Sequence, residues 1–248
     1  MIDGVSPDLP HTGDLPPGKE GFLRLVRPIA RFVLRSYWRI SVHGSEHVPR
    51  SGPVILAANH LALLDGPVLV TMTRRLTFAM AKRELFVGLG GRLLAQVGQI
   101  SLNRQELDLR AMRRAVQVLR SDKVLAVFPE GVRVAGDVAW AKGGAAYLAM
   151  VAGAPVVPVA ILGTREPGQS KNQLPRRRRP IHIVFGPPIA VQQRPWPRRK
   201  LEVAELTEQL RRRLADHVVS AQAFTGLPLP GPPKPRAAGS SMSKWKSP

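Results

Sequence analysis

Residues 54–73 read VILAANHLALLDGPVLVTMT, and the fold follows from how this stretch breaks. Five apolar residues, Val54 to Ala58, come directly after the breakers Gly52-Pro53. A short apolar run bounded by turn residues reads as a buried strand. Asn59 and His60 then stand where the apolar run would have continued, and Asp65-Gly66-Pro67 leads into a second apolar run. A histidine leaving a strand end with a carboxylate close by can form a general base and its orienter. On one continuous helix, residues five apart differ by about 140° and do not meet, so the pair requires a bend between them. Asp65-Gly66-Pro67 fits such a bend, because Asp caps helices and Pro starts them. Taken alone, the stretch equally allows Asp65 as only a helix cap and His60 as only a turn residue.

Strand-like runs recur along the chain. Leu76–Ala81, Val97–Leu102, Val124–Phe128, Val156–Ile161 and Ile181–Phe185 are candidates, with a shorter strand and turn over Val42–Pro49. Helical patterns lie between them, over Glu106–Arg120 and from Lys142 to about Val151, and a last amphipathic helix is marked by Val203, Leu206, Leu210, Leu214 and Val218. This alternation predicts a single α/β domain over residues 43–220, with a mostly parallel or mixed central sheet flanked by helices.

The run Gly143–Thr164 carries no charge and is long enough to span a bilayer. It holds Gly153, Pro155 and Pro158 and turns β-branched in its second half, so a helix followed by a buried strand is expected instead. Residues 1–20 contain four prolines and three glycines and read as a disordered leader. The Pro/Gly/Ser-rich basic tail, 225–248, reads the same way.

Over residues 21–42 the chain reads GFLRLVRPIARFVLRSYWRISV. Arg24, Arg27, Arg31, Arg35 and Arg39 recur every three or four positions, so on a helix they form one cationic stripe. With Phe22, Phe32, Tyr37 and Trp38 beside them, the segment reads as an amphipathic membrane-associating helix; a packed helix with a solvated arginine face is the alternative. The formal net charge is +20. Residues 171–213 alone hold twelve basic against three acidic side chains. Such a charge calls for an anionic partner, either a membrane surface, nucleic acid or anionic substrates. At 5% aromatic residues a base-stacking platform is weakly supported, so nucleic acid is not the expected partner. With no cysteine, thiol nucleophiles, disulfides and Cys-based metal sites are excluded.

Polar groups collect where strands end: Asn59-His60, Lys82, Arg104, and Glu130-Gly131 with Arg133. Ligands of open α/β sheets bind at the carboxyl ends of strands. A histidine, a lysine, two arginines and a glutamate there could build one anion pocket containing a base. Gly131 permits close backbone approach to a ligand.

These residues resemble the conserved blocks of the glycerolipid acyltransferases, the family of 1-acylglycerol-3-phosphate acyltransferases. Asn59-His60 with Asp65 is similar to the NHxxxxD block. Gly98–Arg104 is similar to GxIxxxR, Phe128–Arg133 to FPEGTR, and Val157-Pro158-Val159 to the apolar-Pro-apolar block. Lys142-Gly143-Gly144 also fits. Val132 and Val134 depart from the pattern, standing where hydroxyl residues are usual. The resemblance implies acyl transfer from acyl-CoA or acyl-carrier protein to lysophosphatidic acid, with no metal or cofactor. It implies His60 as base and Asp65 as its orienter, with Asn59, Lys82, Arg104, Glu130, Gly131 and Arg133 in the substrate site. It places the protein on the cytoplasmic face of a membrane, peripheral or monotopic. Another lyso-lipid acceptor, or a non-catalytic basic protein that binds membrane or nucleic acid, are the competing readings.

Overall fold

The computed structural model describes residues 20–234, together with 10–12 and 15. In chain order the elements are α1 (Gly21–Tyr37), β1 (Arg39–His43), β2 (Val54–Ala58), α2 (Asp65–Met72), β3 (Thr77–Lys82), α3 (Gly88–Gln96), β4 (Ile100–Leu102), α4 (Leu109–Arg120), β5 (Val124–Val127), α5 (Gly144–Ala152), β6 (Val156–Leu162), β7 (Pro180–Phe185) and α6 (Lys200–Thr225). The strands form one sheet in the order β1-β7-β6-β2-β5-β3-β4. Five of them, β6, β2, β5, β3 and β4, run parallel. The β1–β7 pair is parallel within itself and joins β6 antiparallel, so the sheet is mixed.

All five residues of β2 are buried, as expected of a central strand covered on both faces. Ile55 and Ala57 face a core shared with Ala115 and Leu119 of α4, Leu148 of α5 and Leu214 of α6. Val54, Leu56 and Ala58 face a second core with Leu23 of α1 and Val68 and Leu69 of α2. The parallel strands therefore deliver their carboxyl ends to one edge, and β2 stands in the middle of it.

Several expectations need correction. The helix predicted over 21–42 ends at Tyr37, and Arg39–His43 pairs with β7 as an edge strand. Pro28 lies inside α1. The arginine stripe is not a solvated or lipid-facing stripe along its whole length: Arg27 and Arg31 turn inward and donate to the carbonyl of Thr71, which lies at the end of α2. The last carbonyls of a helix lack intrahelical donors, and the long guanidinium arms reach them. The apolar residues Leu25, Ile29, Phe32 and Val33 take the exposed side, between 49% and 74% accessible.

Helix α3, with glycines at 88, 90 and 91, was not anticipated, and the third predicted strand shortens to Ile100–Leu102. Gly143–Thr164 resolves into α5 and β6, and no helix among the described residues is long and apolar enough to cross a membrane. Of the predicted leader, the described part lies against α4, where Arg120 donates to the Pro10 carbonyl at 2.9 Å; the other leader residues lie outside the described residues. Of the predicted tail, Leu227 and Leu229 pack on the α6 side of the core and Arg165 donates to the Gly231 carbonyl. Residues 235–248 lie outside the described residues.

Candidate active site

At the end of β2 the ladder to β6 is extended by a side chain. The Asn59 amide donates to the Ile161 carbonyl at 3.1 Å and accepts from the Ile161 N–H at 2.7 Å. Asn59 is fully buried, and its amide stands in for a strand backbone. The sequence reading put it in the substrate site; its place instead is to fix where His60 leaves the sheet.

The bend required between His60 and Asp65 falls over residues 61–64. It brings His60 Nδ1 to 2.8 Å from Asp65 Oδ2. The same oxygen accepts the N–H groups of Leu61 at 2.6 Å and Ala62 at 2.8 Å. Asp65 is thus the first residue of α2, but its carboxylate reaches back to the bend instead of capping the helix ahead of it. Its other oxygen, Oδ1, accepts the Thr164 hydroxyl at 2.5 Å. The carboxylate is 0% exposed. A buried charge is tolerated when hydrogen bonds replace its water, and four donors do so here. The charge also sits at the positive end of the α2 dipole.

The imidazole of His60 stacks on Phe128, ring centroids 4.1 Å apart and planes 22° from parallel. Phe128 opens the turn after β5 that carries Glu130, Gly131 and Arg133. Glu130 Oε1 accepts the His60 N–H at 3.0 Å, and the Glu130 carbonyl accepts Trp140 Nε1 at 3.1 Å. Glu130 is fully buried, and its Oε2 has no partner among the described residues. Burial pushes its carboxyl up to about 7; the His60 N–H opposes this, and the nearby charges of Asp137 and Asp65 add to it.

The cations gather on the far side of this turn. Arg104, beyond the end of β4, donates to the Gly131 carbonyl. Gly131 adopts φ 70°, a left-handed conformation that glycine accepts freely. A Cβ there would come within 3.0 Å of Lys142 Cε, so the lysine stem lies directly over the turn. Arg133 donates to the Lys171 carbonyl at 3.0 Å and to Asn172 Oδ1 at 2.8 Å, tying the turn to the segment after β6. The guanidinium pKa of Arg104 is lowered by burial and then by the charge of Arg133. That of Arg133 is lowered by burial, with Asp65 acting in the opposite sense. Two half-buried cations side by side favour an anion between or beside them.

His60, Asp65, Glu130, Gly131, Arg104 and Arg133 therefore converge, as the spacing of strand ends suggests. Lys82 does not join them directly; it pairs with Glu84 at 3.0 Å, both side chains being more than 40% exposed. Sequence reasoning missed Thr164 and gave Lys142 no place in the site. Arg165, 1% exposed, was also missed; it donates to the Val134 carbonyl and holds the third-block turn from behind. The signal for Thr164 and Arg165 was a hydroxyl and a charge ending a wholly apolar strand. Among the described residues, no three His, Asp or Glu side chains group as a metal site.

A parallel-strand edge carrying a buried histidine–carboxylate pair beside clustered cations is equipped for acid–base chemistry next to an anion. The comparisons narrow the class. The family model described as Acyltransferase matches residues 39–162, half of the chain. The 1-acyl-sn-glycerol-3-phosphate acyltransferase of Borreliella burgdorferi is 32% identical over 134 residues, covering 51% of this chain and 52% of that protein. The protein of the same name from Bacillus subtilis is 25% identical over 71% of this chain and 87% of its own length. The crystal structure of the 1-acyl-sn-glycerophosphate (LPA) acyltransferase PlsC from Thermotoga maritima superposes with a TM-score of 0.59 at 22% identity, covering 81% of this chain and 80% of that one. The chain belongs to the glycerophospholipid acyltransferase family of enzymes. It spans about half the length of the first curated relatives it matches.

Proposed function

We propose that the protein transfers a fatty acyl group from acyl-CoA or acyl-carrier protein to lysophosphatidic acid, forming phosphatidic acid. The observation that carries this reading is the His60–Asp65 bond, 2.8 Å long with the carboxylate wholly buried. With Nδ1 donating to Asp65, Nε2 is the nitrogen left to take a proton. In the step we envisage, Nε2 accepts the acceptor's hydroxyl proton as that oxygen attacks the thioester carbonyl carbon. Asp65 stabilises the imidazolium. The C–S bond then breaks, and the imidazolium returns its proton to the departing thiolate. Arg104, Arg133 and Gly131 provide the site for the acceptor phosphate, with Lys142 above it. Guanidinium groups suit phosphate because they bind it through two parallel N–H bonds. The names of the relatives from Borreliella burgdorferi and Bacillus subtilis support this acceptor.

A second acceptor reading, another lyso-lipid, is favoured by one observation. Val132 and Val134 leave the turn without the hydroxyls that the family pattern has there, and Val132 is 44% exposed. A non-catalytic role fits poorly with a buried histidine–carboxylate pair whose carboxylate takes four donors and leaves Nε2 of the histidine uncommitted.

The setting we propose is peripheral or monotopic, on the cytoplasmic face of an anionic membrane. The exposed apolar strip of α1 supports lipid contact. The test is incubation of the purified chain with acyl-CoA and a panel of lyso-acceptors, read by mass spectrometry. Phosphatidic acid is expected as the main product. Acylation of a phosphate-free acceptor alone, or of no lyso-lipid at all, would sink the reading.

A further inference from the structure

Helix α2 has only eight residues, and the two ends hold opposite charges. Asp65 is its first residue. At the other end, Arg31 donates through Nη2 to the Thr71 carbonyl at 2.8 Å and to the Thr73 carbonyl at 3.2 Å, and through Nε to Thr71 again at 3.2 Å. Arg27 Nε adds a fourth bond to this end of the helix, on the Thr71 carbonyl at 3.3 Å. Cations at a helix C-terminus and anions at its N-terminus both favour the helix dipole. Two half-buried guanidiniums side by side are costly, and burial followed by the neighbouring Arg31 lowers the Arg27 pKa to about 10. Isolated, a helix this short does not hold its shape in water. Its carboxylate end is fixed by the active-site bend; its carbonyl end is fixed by α1.

The same helix α1 turns Leu25, Ile29, Phe32 and Val33 outward. We propose that α1 couples the membrane to the catalytic centre: lipid takes its outer apolar strip, while Arg27 and Arg31 clamp α2 and so hold Asp65 in place. The two arginines are then positioning residues for the His60–Asp65 pair, not ligands for lipid headgroups. The inference deepens the acyltransferase reading and rests on it only for its turnover arm.

The experiment uses the full chain as wild type, Arg31→Gln and Arg31→Lys. It reads co-sedimentation with phosphatidylglycerol–phosphatidylcholine vesicles, amide hydrogen exchange over residues 61–72, and turnover on detergent-dispersed lysophosphatidic acid. Arg31→Gln is expected to stay on vesicles within about twofold, to exchange over 61–72 about tenfold faster, and to lose about tenfold or more in kcat with a smaller change in KM. Vesicles are expected to slow exchange over 61–72 in the wild type and not in Arg31→Gln. Arg31→Lys keeps the charge without the forked donor and should fall between the two. If Arg31→Gln leaves the vesicles while exchange and kcat stay at wild-type values, the arginine is a lipid ligand and the inference is overturned. Wild-type exchange over 61–72 in Arg31→Lys overturns it too, and decides the matter if Arg31→Gln fails to fold. A wild type without acyl transfer defeats the functional reading, while the exchange arm still decides the clamp.

Discussion

The dyad and the cationic turn lie side by side and are built in opposite ways. The Asp65 carboxylate is closed off: four donors reach it from the bend and from Thr164, and none of its surface meets solvent. The turn is left open. Arg104 has a buried Nε with no partner among the described residues, and Glu130 has a buried Oε2 in the same condition. On the proposed reading, the groups that carry out the chemistry are held by the protein alone, and those beside the acceptor keep unmet hydrogen-bonding capacity for it. Loss of a dyad contact should therefore lower the rate on every acceptor, whereas loss of a turn contact should discriminate between acceptors.

The largest effect is expected inside the closed half. Asp65→Asn keeps the shape of the side chain and removes its charge, so the imidazolium loses its stabilising partner. Turnover should fall by about 10²-fold or more on all acceptors. A loss confined to one acceptor would erase the contrast between the two halves.

Arg133→Ala removes a charge-assisted donor from the open half, worth about 1.5–3 kcal/mol. Use of lysophosphatidic acid should drop by about ten- to a hundredfold, and use of a phosphate-free lyso-acceptor much less. Equal losses would mean that Arg133 matters for its bonds to Lys171 and Asn172 rather than for phosphate.

Thr164→Val sharpens the comparison from the closed side, because it deletes one of the four donors while keeping the volume. A loss of about tenfold on every acceptor is expected, from roughly 1–1.5 kcal/mol of lost hydrogen bonding, with recovery in Thr164→Ser. Failure of serine to recover the rate would assign Thr164 to packing.

The last effect is read in stability and leaves the comparison of acceptors untouched. Glu130 has its carboxyl pushed up to about 7 from an ordinary value of 4.5. Between those values the native state binds the proton more tightly than the unfolded chain. The stability tied to this group is complete below about 4.5, declines as pH rises, and is gone above about 7, a swing on the order of 3 kcal/mol at most. Glu130→Gln removes the ionisation, so thermal denaturation across that window should show a flatter pH dependence than wild type. An unchanged slope would show that Glu130 titrates as an ordinary carboxylate.

How much of this was legible in the sequence depends on the range of each contact. The strand at 54–58, the break at His60 and the need for a bend before Asp65 are local, and they read directly from an apolar run and its punctuation. The gathering of strand-end cations follows from parallel topology. Hydropathy periodicity, by contrast, says which residues share a face of a helix but not which face turns inward. Arg27 and Arg31 read as a lipid-facing stripe for that reason, because their acceptors lie some forty residues away at the end of α2. Thr164 meets Asp65 across 99 residues, and only the pairing of β6 beside β2 creates the contact. Asn59 is polar whether it binds substrate or extends a ladder, so its amide could not be assigned without the register to Ile161. Helix α3 was hidden by its three glycines, which weaken the local helix signal.

The central claim is that His60 is the base of the reaction and that the protein is folded around holding it ready. The most direct measurement is thiol release from acyl-CoA in the presence of lysophosphatidic acid, comparing wild type with His60→Ala at matched circular dichroism. General base catalysis contributes about 10²–10⁴-fold, so the folded variant should lose at least that much turnover. A folded His60→Ala that keeps more than about a tenth of wild-type turnover would contradict the claim, because the expected size of a base effect would be missing.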